Sequence, residues 1–306
     1  MSKELEEILN QIKGQLTGDK DYDLKYLQAQ IESFRGHEFG GEIAKECSRM
    51  IYDRMSEEER NEAVVDMGKD RVVDLRIDDE PEEGEAIYYS FYEFFEEVMV
   101  REFMELDKPV KRTETPHADI AMQQGLNQMM EKNYEEAKKS FEEAMKWNPV
   151  NTQIKLSYMK CLEAEGAWEE IHQLALSAIS YAFRPEAVAQ SFVYLGKYFE
   201  QAGKNKPAAA AYYIAISYVE EEAQAMEGLR RIGMHLKEKD IRRIAEKYGF
   251  IPGANPAILS LATGLGEQLF GQQMIDGAYY CYDIVYGLTG DEKIKELLEG
   301  IKKLNL

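Results

Sequence analysis

The chain has 306 residues, 44% of them hydrophobic, with 37 lysines and arginines against 57 acidic residues and a net charge of −20. That length bounds it to one or two domains with ample apolar material for a packed core. The charge opposes non-specific nucleic-acid binding, which needs cations to displace counterions from phosphate, and it opposes docking on an anionic membrane surface.

The acidity is concentrated early: residues 1–112 hold 16 basic and 30 acidic residues, a net of −14. The start, Met1-Ser2-Lys3-Glu4-Leu5-Glu6-Glu7, places acidic residues where a secretory signal needs a basic and then an apolar run. Cys47, Cys161 and Cys281 are isolated, with no CxxC, which fits a reducing compartment. The longest uncharged stretch, Tyr248 to Gly266, contains Pro252 and Pro256 and reads as a helix junction followed by a buried helix, not a membrane span. These features lead us to expect a cytoplasmic protein.

Residues 1–112 read as an acidic, mostly helical segment. Leu5, Ile8, Leu9, Ile12 and Leu16 form one apolar stripe, and Tyr26, Leu27, Ile31 and Phe34 another. A third helix is expected from about Gly41 to Met55, with Ile43, Cys47 and Ile51 inward. Ser56 and Glu59 make a capping box for a fourth. Val72 to Ile77 alternates and is β-branched, so it reads as a short strand or extended segment, and Asp78 to Glu85 as an acidic loop. A fifth helix is expected from about Glu85 to Leu106. It carries the aromatic cluster Tyr88, Tyr89, Phe91, Tyr92, Phe94 and Phe95, either one face of a core or a partner surface. Lys108 to Pro116 reads as a polar junction. The segment is either a bundle or a run of degenerate repeats.

From Ala118 a period of about 34 residues takes over. Gly125, Tyr134, Ala137, Phe141, Ala144 and Pro149 mark the first copy, and Trp168 and Ala178 follow Tyr134 and Ala144 by 34 residues each. The pattern returns at Gly196 with Ala208, Tyr212 and Ala215. It returns faintly at Ile232, Ile244, Tyr248 and Pro256, and clearly at Gly266 with Ala278, Tyr282 and Val285. Five units result, at about 118–151, 152–188, 189–224, 225–258 and 259–292, followed by an amphipathic capping helix from Asp291 to Leu304. Gly125 facing Ala137 across a turn at Lys132 and Asn133 would let two antiparallel helices approach closely. Phe141 and Tyr282 would fill the groove toward the next unit, and Pro149 and Pro256 would stop the second helix. No single hairpin buries its apolar face, so neighbours must stack.

These residues resemble the tetratricopeptide repeat family over about 175 residues. The resemblance implies an all-α fold in which residues 113–306 form a right-handed superhelix of stacked helical hairpins. Met159 and Ile171 in the second unit, and Ile232 and Ile244 in the fourth, depart from the small residues the family uses at the close contact. The family's first helices line a concave groove that holds an extended peptide or a helix. Projected onto this chain, that face comprises Asp119, Met122, Leu126, Met129 and Met130, then Gln153, Leu156, Lys160 and Glu163, then Gln190, Val193, Lys197, Glu200 and Gln201, then Met226, Leu229 and Leu236, then Thr263, Glu267 and Phe270. The methionine-rich end suits adaptable apolar binding or, equally, covers the N-terminal helices. Lys160 and Lys197 alternate with Glu163 and Glu200 and are placed to pair across adjacent units. Relatives that clamp a chaperone's C-terminal carboxylate use cations and an amide where Met122, Leu126, Gln190 and Tyr194 stand here, so that partner is disfavoured.

Sequence motifs for chemistry are incomplete. His37-Glu38-Phe39-Gly40-Gly41 lacks the second histidine of a zinc protease helix. Asp19, Asp21 and Asp23 open like a calcium loop, but Leu24 and Gln30 stand where glycine and glutamate are needed, so a helix cap by Asp21 or Asp23 is the better reading. Gly264-Leu265-Gly266 with Gly271 has the wrong spacing for a dinucleotide loop, and His117, His172 and His235 are scattered. We therefore expect no cofactor, no metal and no catalytic residues. The expected function is a non-enzymatic scaffold for a protein or peptide, with no nucleic acid and no membrane as partner. The alternative is a peptide-sensing regulator of bacterial type acting through its N-terminal helical segment. The residues leave the partner's identity and the oligomeric state open.

Overall fold

A computed structural model describes residues 3–34, 39, 43, 46–47, 50–51, 54, 63–65, 72–74, 86–113 and 115–304. Most of these are helical, and helices pack against their chain neighbours. Close contacts divide the chain into two units: Met1–Ala86 with Thr113–Pro116, and Ile87–Arg112 with His117–Leu306. Residues 87–112, on the N-terminal side of the boundary expected near residue 112, share their contacts with His117–Leu306.

In the first unit, α1 (Lys3–Gly14) and α2 (Lys20–Ser33) bury Leu5, Leu9, Ile12 and Leu27 with Ile43, Cys47 and Ile51. This is the face each apolar stripe predicts. Asp19 caps α2 by accepting the Tyr22 N–H at 2.9 Å. Asp23 has a different task from the cap expected of it. Fully buried, it accepts the N–H groups of Thr17 (2.8 Å) and Gly18 (3.1 Å) and the Arg54 Nε at 3.2 Å. Those donors, the Thr17 amide foremost, hold its carboxyl below the ordinary carboxylate range. Strands β1 (Ala63–Val65) and β2 (Val72–Asp74) pair antiparallel. The extended reading of Val72 holds, and β1 occupies sequence that follows the expected fourth cap. That cap (Ser56 and Glu59), the acidic loop Asp78 to Glu85 and most of His37 to Gly41 lie outside the described residues.

The second unit opens with β3 (Ile87–Tyr89), α3 (Phe94–Phe103) and β4 (Val110–Arg112), and the two strands pair in parallel, Ile87 against Val110. The expected fifth helix is thus shorter, and part of the expected junction is a strand. Ile87, Tyr88 and Tyr89 favour a pleated surface, and Glu93 with Glu96 starts α3 by a reciprocal capping box. Tyr89, Phe91 and Phe95 are buried and Phe94 is exposed, so one side of the aromatic cluster is core.

Eleven further helices follow among the described residues: α4 (His117–Met130), α5 (Tyr134–Trp147), α6 (Thr152–Glu165), α7 (Trp168–Tyr181), α8 (Pro185–Gln201), α9 (Asn205–Tyr218), α10 (Ala223–Ile232), α11 (Glu238–Tyr248), α12 (Pro256–Gly271), α13 (Ile275–Thr289) and α14 (Glu292–Leu304). The turns inside four hairpins are alike. Lys132, Gly166, Gly203 and Gln273 all have φ between 61° and 74°. The following N–H reaches back five residues: Asn133 to Gln128, Ala167 to Leu162, Lys204 to Phe199, and Met274 to Leu269. This satisfies a carbonyl that the helix end leaves open.

Close packing comes from glycine beneath an aromatic ring, not from glycine facing alanine as expected. A Cβ on Gly125 would lie 2.9 Å from the Phe141 ring, and one on Gly266 would lie 3.0 Å from Tyr282. Added methyls at Gly196 and Gly228 would overlap opposite edges of the fully buried Tyr212 ring. In three hairpins the ring follows its glycine by the same interval, 125 to 141, 196 to 212 and 266 to 282.

The hairpins α4–α5, α6–α7 and α8–α9 each close on themselves, and each second helix packs on the next first helix. The first helices α4, α6, α8 and α10 also adjoin in sequence order. Regularity then stops. Helices α10 and α11, expected to form the fourth hairpin, both pack on α9 and make few close approaches to each other. Hairpin α12–α13 makes few close approaches to α11. It is fixed instead by Ile258, Ala262, Ile284, Val285 and Leu288, which are buried in the main core, by Asn255 Nδ2, which donates to the Ser180 carbonyl at 2.8 Å, by Ala254 N–H, which donates to the Tyr218 hydroxyl at 2.7 Å, and by Gly287 against Pro185. Helix α14 buries Leu298 and Ile301 against α12 and α13.

Candidate functional site

A cleft of about 340 Å³ opens along the C-terminal halves of α6 and α8 and beside α10. Glu163, Lys197, Glu200 and Gln201, four of the residues projected onto the groove face, line it together with Trp168, Gln224 and Arg231. Helical spacing explains the arrangement: Lys197 and Glu200 are three residues apart on α8 and share a face. Lys197 Nζ bonds both oxygens of Glu163, at 2.8 and 3.0 Å, and lies 4.9 Å from the centre of the Tyr194 ring. Arg231 engages Glu200 through two parallel bonds of 2.8 and 3.0 Å and reaches Glu227 at 3.0 Å. The Tyr212 hydroxyl donates to Glu200 at 2.8 Å. Arg231 first, and Tyr212 after it, hold the Glu200 carboxyl below its ordinary range. Burial and Glu200 push the Tyr212 hydroxyl well above its own. The pairing expected across units is present, Lys197 with Glu163, and the arginine that completes the row is one the sequence projection missed. Its signal is the interval of 31 residues from Glu200, close to one repeat.

The other projected residues are not brought together there. Met122, Leu156 and Val193 are buried in the hydrophobic core, Met122 in the same cluster as Phe95, Met99 and Val100. The projection missed this because first helices adjoin one another, and their mutual contact takes the positions assigned to the groove. Leu126 and Met129 pack partly buried against the core, whereas Met130 is 75% exposed. Lys160 is exposed and stands outside the cleft. Leu229 lines a second pocket behind α10. Phe270, 38% exposed, lies on α12, which does not continue the row of first helices.

No family model, curated protein or solved structure matches the chain. The geometry alone therefore carries the functional reading. Among the described residues no three histidine, cysteine or acidic side chains converge as a metal site, and no helix is long and apolar enough to cross a membrane. His117 stacks on Trp147 and His172 on Tyr198, with ring centres 4.2 and 4.1 Å apart. Cys47, Cys161 and Cys281 are all buried and in no disulfide, and burial raises each thiol.

A buried polar cluster lies apart from the cleft. Glu96 accepts from the Tyr92 and Glu93 N–H groups and from the side-chain amides of Asn148 (2.9 Å) and Asn151 (2.6 Å). Lys155, 2% exposed, makes no hydrogen bond among the described residues and stands 4.4 Å from the centre of the Tyr181 ring. Burial pulls its amine down to about 7, against the attraction of Glu96. Nearby in sequence, Glu93 accepts from Arg184 (2.7 Å) and from the Tyr280 hydroxyl (2.6 Å). This joins α3, α8 and α13.

Proposed function

We propose that the chain is a non-enzymatic binding scaffold, a tetratricopeptide-like superhelix over α4 to α11 that presents the row of first helices to a peptide or protein. The observation that carries this reading is the cleft across α6, α8 and α10, where three successive units contribute one side chain row. Its charges are mutually paired, Lys197 with Glu163 and Arg231 with Glu200, so the walls are held in place before a ligand arrives and less ordering is lost on binding. Paired carboxylates keep unused lone pairs, and Gln224 offers an amide, which suits the alternating donors and acceptors of an extended backbone. The glycine-under-ring contacts and matching turns support a repeated hairpin unit. The displaced fifth hairpin limits the superhelix to the preceding helices.

The test is selection of binders from a displayed peptide library on the full chain, followed by Gln224→Trp. Gln224 is exposed and lines the cleft, so an indole there fills the space without breaking either ion pair. Selected peptides should lose about tenfold or more in affinity, on the order of 1.4 kcal/mol. Unchanged affinity refutes the cleft, and a library that yields no binder refutes the scaffold reading.

A further inference from the structure

The opposite side of α10 carries a pocket of another kind. Its walls are the Tyr213 ring and Ile216 on α9, Met226 and Leu229 on α10, and Met234 in the following turn, around an open space of about 410 Å³. Met226 is 44% exposed, among the largest apolar exposures in the second unit. The Tyr213 hydroxyl lies 3.3 Å from the Met234 carbonyl and 3.2 Å from His235 Nδ1. Arg230 and His235 complete the lining.

Charge here is balanced, unlike that of the chain: from Glu220 to Tyr248 there are seven lysines and arginines and seven acidic residues, in a protein of −20. Arg231 faces the cleft on the other side, and Arg242 and Arg243 pair with Glu238 and Asp240. Arg230, and Lys237 just beyond His235, have no ion pair among the described residues. An apolar pocket with the unpaired Arg230 in its lining fits an anchor side chain beside a carboxylate.

We propose that this pocket is a second docking site, for an acidic peptide segment that inserts one large apolar residue between α9 and α10. The proposal rests on the scaffold reading above and adds a partner chemistry to it. Apolar anchors in pockets supply most of the affinity of such contacts, and rim charges set rate and salt dependence.

The probe is a fluorescein-labelled peptide of glutamate and serine with one central phenylalanine, followed by fluorescence anisotropy on the full chain. It should bind, weaken with added salt, and bind about tenfold less well when its phenylalanine is alanine or its glutamates are lysine. Met226→Asp and Arg230→Glu, both at exposed positions, should each reduce affinity by about tenfold, with far-ultraviolet circular dichroism unchanged. Gln224→Trp should leave this peptide's affinity as it was. Loss with Gln224→Trp but not with Met226→Asp refutes the second site and leaves the scaffold reading standing. No binding of the acidic peptide, while library-selected peptides still bind in the cleft, does the same. Self-association in light scattering that Met226→Asp abolishes assigns the surface to a second copy of the chain and overturns the peptide proposal.

Discussion

Lys155 illustrates how one residue can set the pH response of the fold. Its amine is buried, makes no hydrogen bond among the described residues, and is drawn down to about 7. A lysine whose native pKa lies below its ordinary value binds fewer protons folded than unfolded. Its penalty on stability is therefore full below about pH 7 and fades as pH rises toward about 10.5. Lys155→Met, similar in volume and without a charge, should raise stability at pH 7 by about 1–3 kcal/mol in urea denaturation. That gain should shrink steadily by about pH 9.5. A gain that is absent, or constant with pH, contradicts the account. The sequence offers little sign of this lysine's burial. Lys155 stands one residue from Leu156 on α6, a helix buried on most sides, and a helix polar on no clear face leaves the period uninformative.

At the scale of elements, the glycines of α12 separate two roles that look alike in sequence. Gly266 lies under the Tyr282 ring, whereas nothing lies within 4 Å of a Cβ built on Gly264. Gly264→Ala should stabilise by about 0.5–1 kcal/mol, since alanine has the better helix propensity. Gly196→Ala should destabilise by about 3 kcal/mol or more, because its methyl overlaps the buried Tyr212 ring, which Gly228 confines from the other edge. Thermal melts of the two variants should move in opposite directions. Equal shifts would mean that the hairpins are not held by ring-on-glycine contact. The small-residue helices were legible in sequence at Gly125, Gly196 and Gly266. Their true partners were not, because twelve-residue and sixteen-residue spacings across a turn both place residues on facing helices. Gly228 escaped the repeat alignment altogether, since it serves the preceding hairpin.

Across the second unit, the polar link of Glu93, Arg184 and Tyr280 ties α3 and α8 to α13, 187 residues apart in the chain at its widest. Arg184 also approaches Asp283 at 3.5 Å and stacks over Tyr280 at 5.2 Å. The pair is partly solvated, so Arg184→Ala should lower global stability by only about 0.5–1 kcal/mol. Hydrogen exchange should tell more. Amides of α12 and α13 should exchange faster in the variant while those of α6 to α9 change little, because Tyr280 and Asp283, the residues that Arg184 holds, belong to α13. A uniform rise in exchange would show that the link does not fix that hairpin in particular.

Periodic apolar spacing determined by itself where most helices run and that they come in pairs, because a local pattern of 3.6 residues is enough to choose which side avoids water. It likewise determined the Glu163–Lys197 pairing, a contact one repeat apart. Three outcomes waited on tertiary structure: the strand pairing of residues 87–89 with 110–112, the burial of Met122, Leu156 and Val193, and the departure of α12–α13 from the stack. Each depends on which surfaces meet over long separations in the chain. That choice is settled by the sum of many weak contacts and by the small gaps that admit them, and no local window of residues contains that sum.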